Sequence, residues 1–168
     1  TTFALMSYIG RLSYDYKGKY LLSGSVRRDG STKFGPKNRY AVFPAVSAAW
    51  RVSEEDFMKS SNIINDLKLR GSYGSVGNQN IPNFKYLTTY SNDGGTYQYV
   101  VGGSRTPQNA YYADNIGDSS IRWEKSTQMN IGVDAAFLNN KFTFSVDYYN
   151  KKINDMLGFF PVPQYTGV

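Results

Sequence analysis

The chain has 168 residues, 40% of them hydrophobic, with 15 Tyr, no Cys, no His and a formal charge of +6. The missing Cys and His exclude disulfides, thiol nucleophiles, imidazole bases and the usual zinc ligand sets. Its Lys and Arg residues are scattered rather than gathered in the stripe that a nucleic-acid binder shows, and no window holds the 18 or so consecutive apolar residues of a spanning helix.

Six stretches alternate apolar and polar residues with period two, which predicts strands with one oily and one wet face. The first covers about residues 7–16, with Tyr8, Leu12, Tyr14 and Tyr16 opposed to Ser7, Arg11, Ser13 and Asp15. A tight turn at Lys17-Gly18-Lys19 follows, because Gly18 tolerates positive φ. The second strand covers about 20–28, and Asp29-Gly30-Ser31-Thr32 reads as its end. The third spans about 40–52, with Val46, Ala48, Trp50 and Val52 against Ser47, Ala49 and Arg51. Ser53-Glu54-Glu55-Asp56 reads as a helix start, with Ser53 as cap and one turn through Met58. The fourth strand covers about 67–75. Residues 78–120 form a long polar loop with weak periodicity near Tyr86–Tyr90 and 96–101; loops of that length are usually functional. The fifth strand runs from about 122 to 137, turns at Asn139-Asn140, and leads into the sixth at about 142–155.

Connections after the first, third and fifth strands are short or moderate, and those on the opposite side are long and polar. Membrane barrels sort their loops in this way. Tyr14, Tyr16, Tyr20 and Trp50 fall on the oily face near the short-turn side, where an aromatic girdle belongs. Six strands alone would leave two open edges in lipid, so the wall is expected to continue beyond this stretch. Residues 1–6 carry no signal-peptide pattern.

Several blocks resemble the barrel of SusC/RagA-type TonB-dependent outer-membrane transporters. They are Tyr14-Asp15-Tyr16-Lys17-Gly18-Lys19-Tyr20, Arg28-Asp29-Gly30-Ser31, Phe34-Gly35, Phe43-Pro44-Ala45-Val46 with Trp50-Arg51, Leu67-Lys68-Leu69-Arg70-Gly71-Ser72-Tyr73-Gly74 with Gly77-Asn78, Trp123-Glu124-Lys125 with Asn130-Ile131-Gly132-Val133-Asp134, and Asp147-Tyr148-Tyr149. Each block is commonplace alone, while their ordered succession across nearly the whole chain is specific. The resemblance implies an all-β chain whose six or so antiparallel strands belong to a plugged barrel of about 22. Residues 1–168 would be a partial barrel domain, with the plug and N-terminal extension absent. It further implies energised import of oligosaccharides or peptides across the outer membrane of a Gram-negative, Bacteroidetes-like cell. A SusD-like surface lipoprotein would act as lid, and TonB would engage through the missing N-terminal part. Neither a cofactor nor a catalytic role is called for.

Arg51, Arg70 and Asp134 read as structural partners on the wet face. Tyr97, Tyr99, Tyr111, Tyr112, Phe159 and Phe160 are the candidate loop contacts, for packing among loops or against the lipoprotein in preference to direct cargo binding. Asp93, Asp114, Asn115 and Asp118 lack the spacing of a calcium loop. The rival reading is a soluble all-β carbohydrate-binding module or adhesin whose oily face is a core. A glycosidase would need two carboxylates at a defined separation, and no pair is singled out.

Overall fold

The computed structural model describes residues 2–59, 63–92, 98–100, 103 and 107–158. Six long strands form one sheet in the order β1 (Leu5–Tyr16), β2 (Tyr20–Ser31), β3 (Tyr40–Arg51), β4 (Ile64–Asn78), β9 (Glu124–Phe137) and β10 (Phe142–Asn154). Every neighbouring pair is antiparallel. The skip from β4 to β9 is the long loop, which carries two small ribbons, β5 (Thr89–Ser91) with β8 (Tyr112–Asn115), and β6 (Gln98–Tyr99) with β7 (Gln108–Asn109).

Tight turns fix the register at one end of the sheet. Lys17 and Gly18 both take positive φ, 54° and 67°, the combination a two-residue hairpin turn demands and the reason for glycine there. The Lys19 amide donates to the Tyr16 carbonyl at 3.0 Å, and the Gly18 amide to Asp15 Oδ1 at 2.7 Å. Between β9 and β10, Leu138, Asn139 and Asn140 all take positive φ, and the Asn139 amide is held by Asn65 Oδ1 at 2.7 Å.

Strand pairing overrides several local signals. Asp29-Gly30-Ser31 stays inside β2, because Leu5 pairs with Ser31 on one side and Tyr40 with Gly30 on the other. β4 is longer than its alternation predicts, beginning at Ile64 and ending at Asn78, since β9 pairs with it as far as Glu124. Its pairing with β3 ends at Ala45–Gly74; beyond, Ser75 is buried, its hydroxyl donating to the Pro44 carbonyl at 3.4 Å. The helical turn after β3 is a 3₁₀ turn over Val52–Glu54, and its capping position, Arg51, makes no side-chain cap bond. Ser53 instead donates to Asp66 Oδ1 at 3.0 Å, tying the connection to β4.

Among the described residues, no second layer covers the oily face. Leu12 is 78% exposed, Val46 57% and Phe144 58%. Register places Leu22, Ala48 and Gly71 in one outward row, and Gly24, Val46 and Tyr73 in the next. A soluble sandwich buries such rows against a partner sheet. From Tyr40 to Trp50, the outward aromatics at the two ends of β3, the strand rises about 33 Å at roughly 3.3 Å per residue. At the tilt of about 40° usual in membrane barrels this covers about 25 Å along the membrane normal, the height of their apolar band.

Candidate functional site

Three regions of the wall carry side-chain chemistry: the base of the long loops, the polar face of the sheet and the short-turn end.

At the loop base, Phe34, Phe43 and Trp123 form the buried hydrophobic cluster, with Ala41, Ile81, Ile121 and Leu157 packed against it. Trp123 lies 5.1 Å from Phe34 and 5.7 Å from Phe43 between ring centroids. Its Nε1 donates to the Arg39 carbonyl at 3.1 Å, satisfying the one polar atom of a buried indole. The Asn38 amide donates to the Ile121 carbonyl at 3.1 Å. Residues 32–39 and 119–123, from two different connections, are thereby stapled together.

Beyond this staple lies a cleft of about 790 Å³, lined among others by Ile81, Lys85, Asp114, Asn115, Ile116 and Met156. Lys85 Nζ donates to Asn115 Oδ1 at 2.8 Å, and Asn115 Nδ2 to the Leu87 carbonyl at 2.6 Å. The Asp118 carboxylate accepts from the Ser120 hydroxyl and amide, which hold it below its usual pKa. Among the described residues no three acidic, His or Cys side chains converge to hold a metal ion.

The candidate loop aromatics that are described, Tyr99, Tyr111 and Tyr112, do not gather in that cleft. Tyr99 ends the β6 strand, 51% exposed, and Tyr111 precedes β8, 72% exposed. Tyr112 opens β8 opposite Ser91. None of the three lines the cleft. Tyr97, Phe159 and Phe160 lie outside the described residues. Sequence reasoning missed the cleft itself, because its walls come from segments near residues 80, 115 and 156 that share no local pattern.

The polar face is built around one arginine. Arg70 on β4 pairs with Gly132 on β9, which pairs in turn with Asp147 on β10. With no side chain at Gly132, the guanidinium crosses the middle strand. It contacts Asp134 at 3.0 Å through Nε and Asp147 Oδ2 at 2.7 Å through Nη2. The Ser145 hydroxyl donates to Asp134 Oδ1 at 2.6 Å. A Cβ at position 132 would meet Asp147 Oδ1 at 2.5 Å and Arg70 Cζ at 2.9 Å. Arg70 and Asp134 are thus structural partners between strands, as their alternation suggests.

Gly132→Val is expected to push the guanidinium off Asp147 and lower the midpoint of denaturant unfolding. Arg70→Leu is expected to do the same by leaving Asp134 and Asp147 facing each other, and adding Asp147→Asn should recover part of that loss. A double-mutant cycle on the intact protein measures the coupling; additive effects would contradict it. Elsewhere the face is lined with small groups, Ser13, Ser23, Ser47, Ala49 and Ser72, which leave a shallow hollow of about 470 Å³ beside Lys68 and Arg70.

At the short-turn end the outward aromatics stack. Tyr16 and Tyr20 lie 6.4 Å apart, and Tyr20 and Trp50 lie 6.3 Å apart and nearly parallel, at 10°. Glu55, from the connection after β3, reaches back to them. Its Oε1 accepts from the Tyr20 hydroxyl at 2.7 Å and from Trp50 Nε1 at 3.2 Å, and its Oε2 from Lys19 Nζ at 3.0 Å. These donors, Tyr20 foremost, hold the Glu55 carboxyl below its ordinary pKa. Glu55 in turn raises Lys19. Both ends of the clasp are therefore charged throughout the neutral range; its contribution is lost as pH falls through the lowered Glu55 value or rises through the raised Lys19 value.

Comparison with known proteins follows the same lines. The family described as TonB dependent receptor-like, beta-barrel matches residues 1–168. A TonB-dependent receptor of Formosa agariphila is 41% identical over 167 residues, covering 99% of this chain and 15% of its own length. The TonB-dependent receptor SusC of Bacteroides thetaiotaomicron is 37% identical over 166 residues, covering 96% and 16%. Among solved structures, the RagAB peptide transporter superposes with a TM-score of 0.84 at 30% identity, over 99% of this chain and 17% of that one. The RagAB peptide importer in its 'closed-closed' state gives 0.85 at 30% identity, with the same coverage. The chain spans about a sixth of the length of these relatives, 15% to 17%.

Proposed function

Given that this chain belongs to the TonB-dependent receptor-like β-barrel family, we propose that it is a stretch of barrel wall, with outer loops, in an outer-membrane importer of glycans or peptides. The observation that carries the proposal is the uncovered oily face, with the Tyr16–Tyr20–Trp50 stack at its short-turn end and Tyr40 at the other end of β3, set against a polar face that carries the Arg70 network. In this reading residues 1–168 are a partial barrel domain of a wall of about 22 strands. The polar face lines the interior and meets a plug supplied by other parts of the protein. The long loop faces outward, where a SusD-like lipoprotein serves as lid; TonB supplies energy through a segment outside this chain. Support for the lid comes from the likeness to SusC and to a peptide importer solved in 'closed-closed' and 'open-open' states. The chain takes no catalytic part.

Tyr97, Tyr99, Tyr111 and Tyr112 from the long loop, and Phe159 and Phe160 from the segment after β10, are proposed as loop-to-loop or loop-to-lid contacts. Exposed aromatics at a loop rim suit a protein surface better than an isolated sugar site.

Fractionation of cells producing the intact protein tests the proposal. It should remain in the outer membrane after alkaline extraction, and a Tyr99→Ala, Tyr111→Ala double variant should remain there too while co-purifying less of the lipoprotein. Release as a soluble monomer without detergent would overturn the importer and favour a soluble binding module.

A further inference from the structure

Two of the three donors gathered by Glu55 belong to the outward aromatic stack, yet the carboxylate comes from a connection that is no part of the sheet. Its side chain is only 16% exposed, so the acid is committed to these donors and not to solvent. Tyrosine and tryptophan settle at a membrane boundary because their rings are apolar and their O–H and N–H need water or an acceptor. Without a fixed acceptor each ring is free to follow whichever headgroup or water it meets. With one, its polar edge is pinned.

We propose that Glu55 is a positioning residue that sets the depth and orientation of Trp50 and Tyr20 in the membrane interface, and so fixes where the wall rides on its inward-facing rim. The inference rests on the barrel reading above. The acceptor lies beyond the strand ends, on the β1–β2 turn side, where the Arg51 amide also donates to the Lys19 carbonyl at 2.8 Å. Both donating edges are therefore tied to an acceptor carried by the connection on the turn side of the rim. Lys19 closes the third side of the clasp, and Lys17 lies over the Tyr16 ring at 5.3 Å. The lipid-facing rings are thus flanked by ammonium groups at headgroup level. Of the neighbouring acids, Asp56 pairs with Lys59 and reaches Lys19 only through its charge, and Asp15 accepts from the Gly18 amide.

The test uses the intact protein in vesicles whose lipids carry bromine at either a shallow or a deep acyl position. The Trp50 signal is taken as the difference between each form and the same form bearing Trp50→Phe. In the unaltered protein shallow bromine should quench Trp50 more strongly than deep bromine. Glu55→Leu should lower that shallow-to-deep ratio severalfold, on the scale of losing a net hydrogen bond. Glu55→Gln, which still offers an acceptor to both rings, should keep it. Glu55→Asp retains the charge with a shorter reach and should give an intermediate ratio, which also serves if Glu55→Leu does not fold. An unchanged ratio in folded Glu55→Leu, or in Glu55→Asp, overturns the inference while leaving the barrel intact. Absence of quenching by either lipid in the unaltered protein overturns the barrel reading itself.

Discussion

Arginine placed at Val46 is expected to destabilise the folded protein by about 2–4 kcal/mol, the cost of a cation at the middle of a barrel's lipid face. The same change at the next residue, Ser47, should cost no more than about 0.5 kcal/mol, as on an exposed polar surface. The two positions are adjacent on β3 and face opposite sides of the sheet. Val46 sits in a row with Gly24 and Tyr73, near the middle of β3 between Tyr40 and Trp50. Ser47 faces the other way, its hydroxyl 2.8 Å from that of Ser23 and beside the hollow of small residues. In hydrocarbon an arginine must drag water or headgroups inward or reach for the rim. Over the polar face it finds room. Reversible denaturant unfolding of the intact protein in phospholipid vesicles measures both. Equal, small costs would mean that water bathes the oily face, which no wall of a membrane barrel tolerates.

That contrast was legible in the sequence because a period of two is a local property: Val46 and Ser47 declare their faces by their neighbours alone. The turns were legible for the same reason, since Lys17-Gly18 and Asn139-Asn140 carry their backbone preference with them. Strand ends were not. Asp29-Gly30 has the composition of a breaker, yet its backbone groups find partners in both β1 and β3, and pairing outweighs propensity. Ser53 has the composition of a helix cap, but Asp66 competes for its hydroxyl. The polar partners of Arg70 depend on register across three strands. A sequence shows that Asp134 and Asp147 lie on wet rows, not that Gly132 leaves the gap through which one arginine reaches both. The aromatic cluster was least visible. Phe34, Phe43 and Trp123 stand in three separate segments; Phe34 and Trp123 are single apolar side chains beside polar or small neighbours, and Phe43 lies within β3 on the face opposite its oily row.

That cluster carries the other large effect. Phe34→Ala is expected to lower the opening free energy of the loop base by about 3–5 kcal/mol, the range for removing a buried phenyl ring. Phe34 is 0% exposed and packs tilted against Trp123, at 37° between ring planes, so its loss leaves a cavity bounded by an indole that must keep its bond to the Arg39 carbonyl. The strands cannot relax to fill it, since β2 and β3 are held by their ladder. The loops can. The cost should therefore fall on the junction between residues 32–39 and 119–123, which lacks a ladder of its own and rests on the aromatic cluster and the Asn38 amide. Local opening of this kind is separable from global unfolding. Hydrogen exchange on the intact protein should show lost protection in those two segments, with β2, β3 and β9 retaining theirs, and protease should nick the long loop sooner. Phe34→Leu, which keeps most of the volume, should cost less than about 1.5 kcal/mol. Were protection of the loop base unchanged in Phe34→Ala, the loops would be held by something other than this cluster. The cleft beyond it would then owe its shape to the ribbons alone.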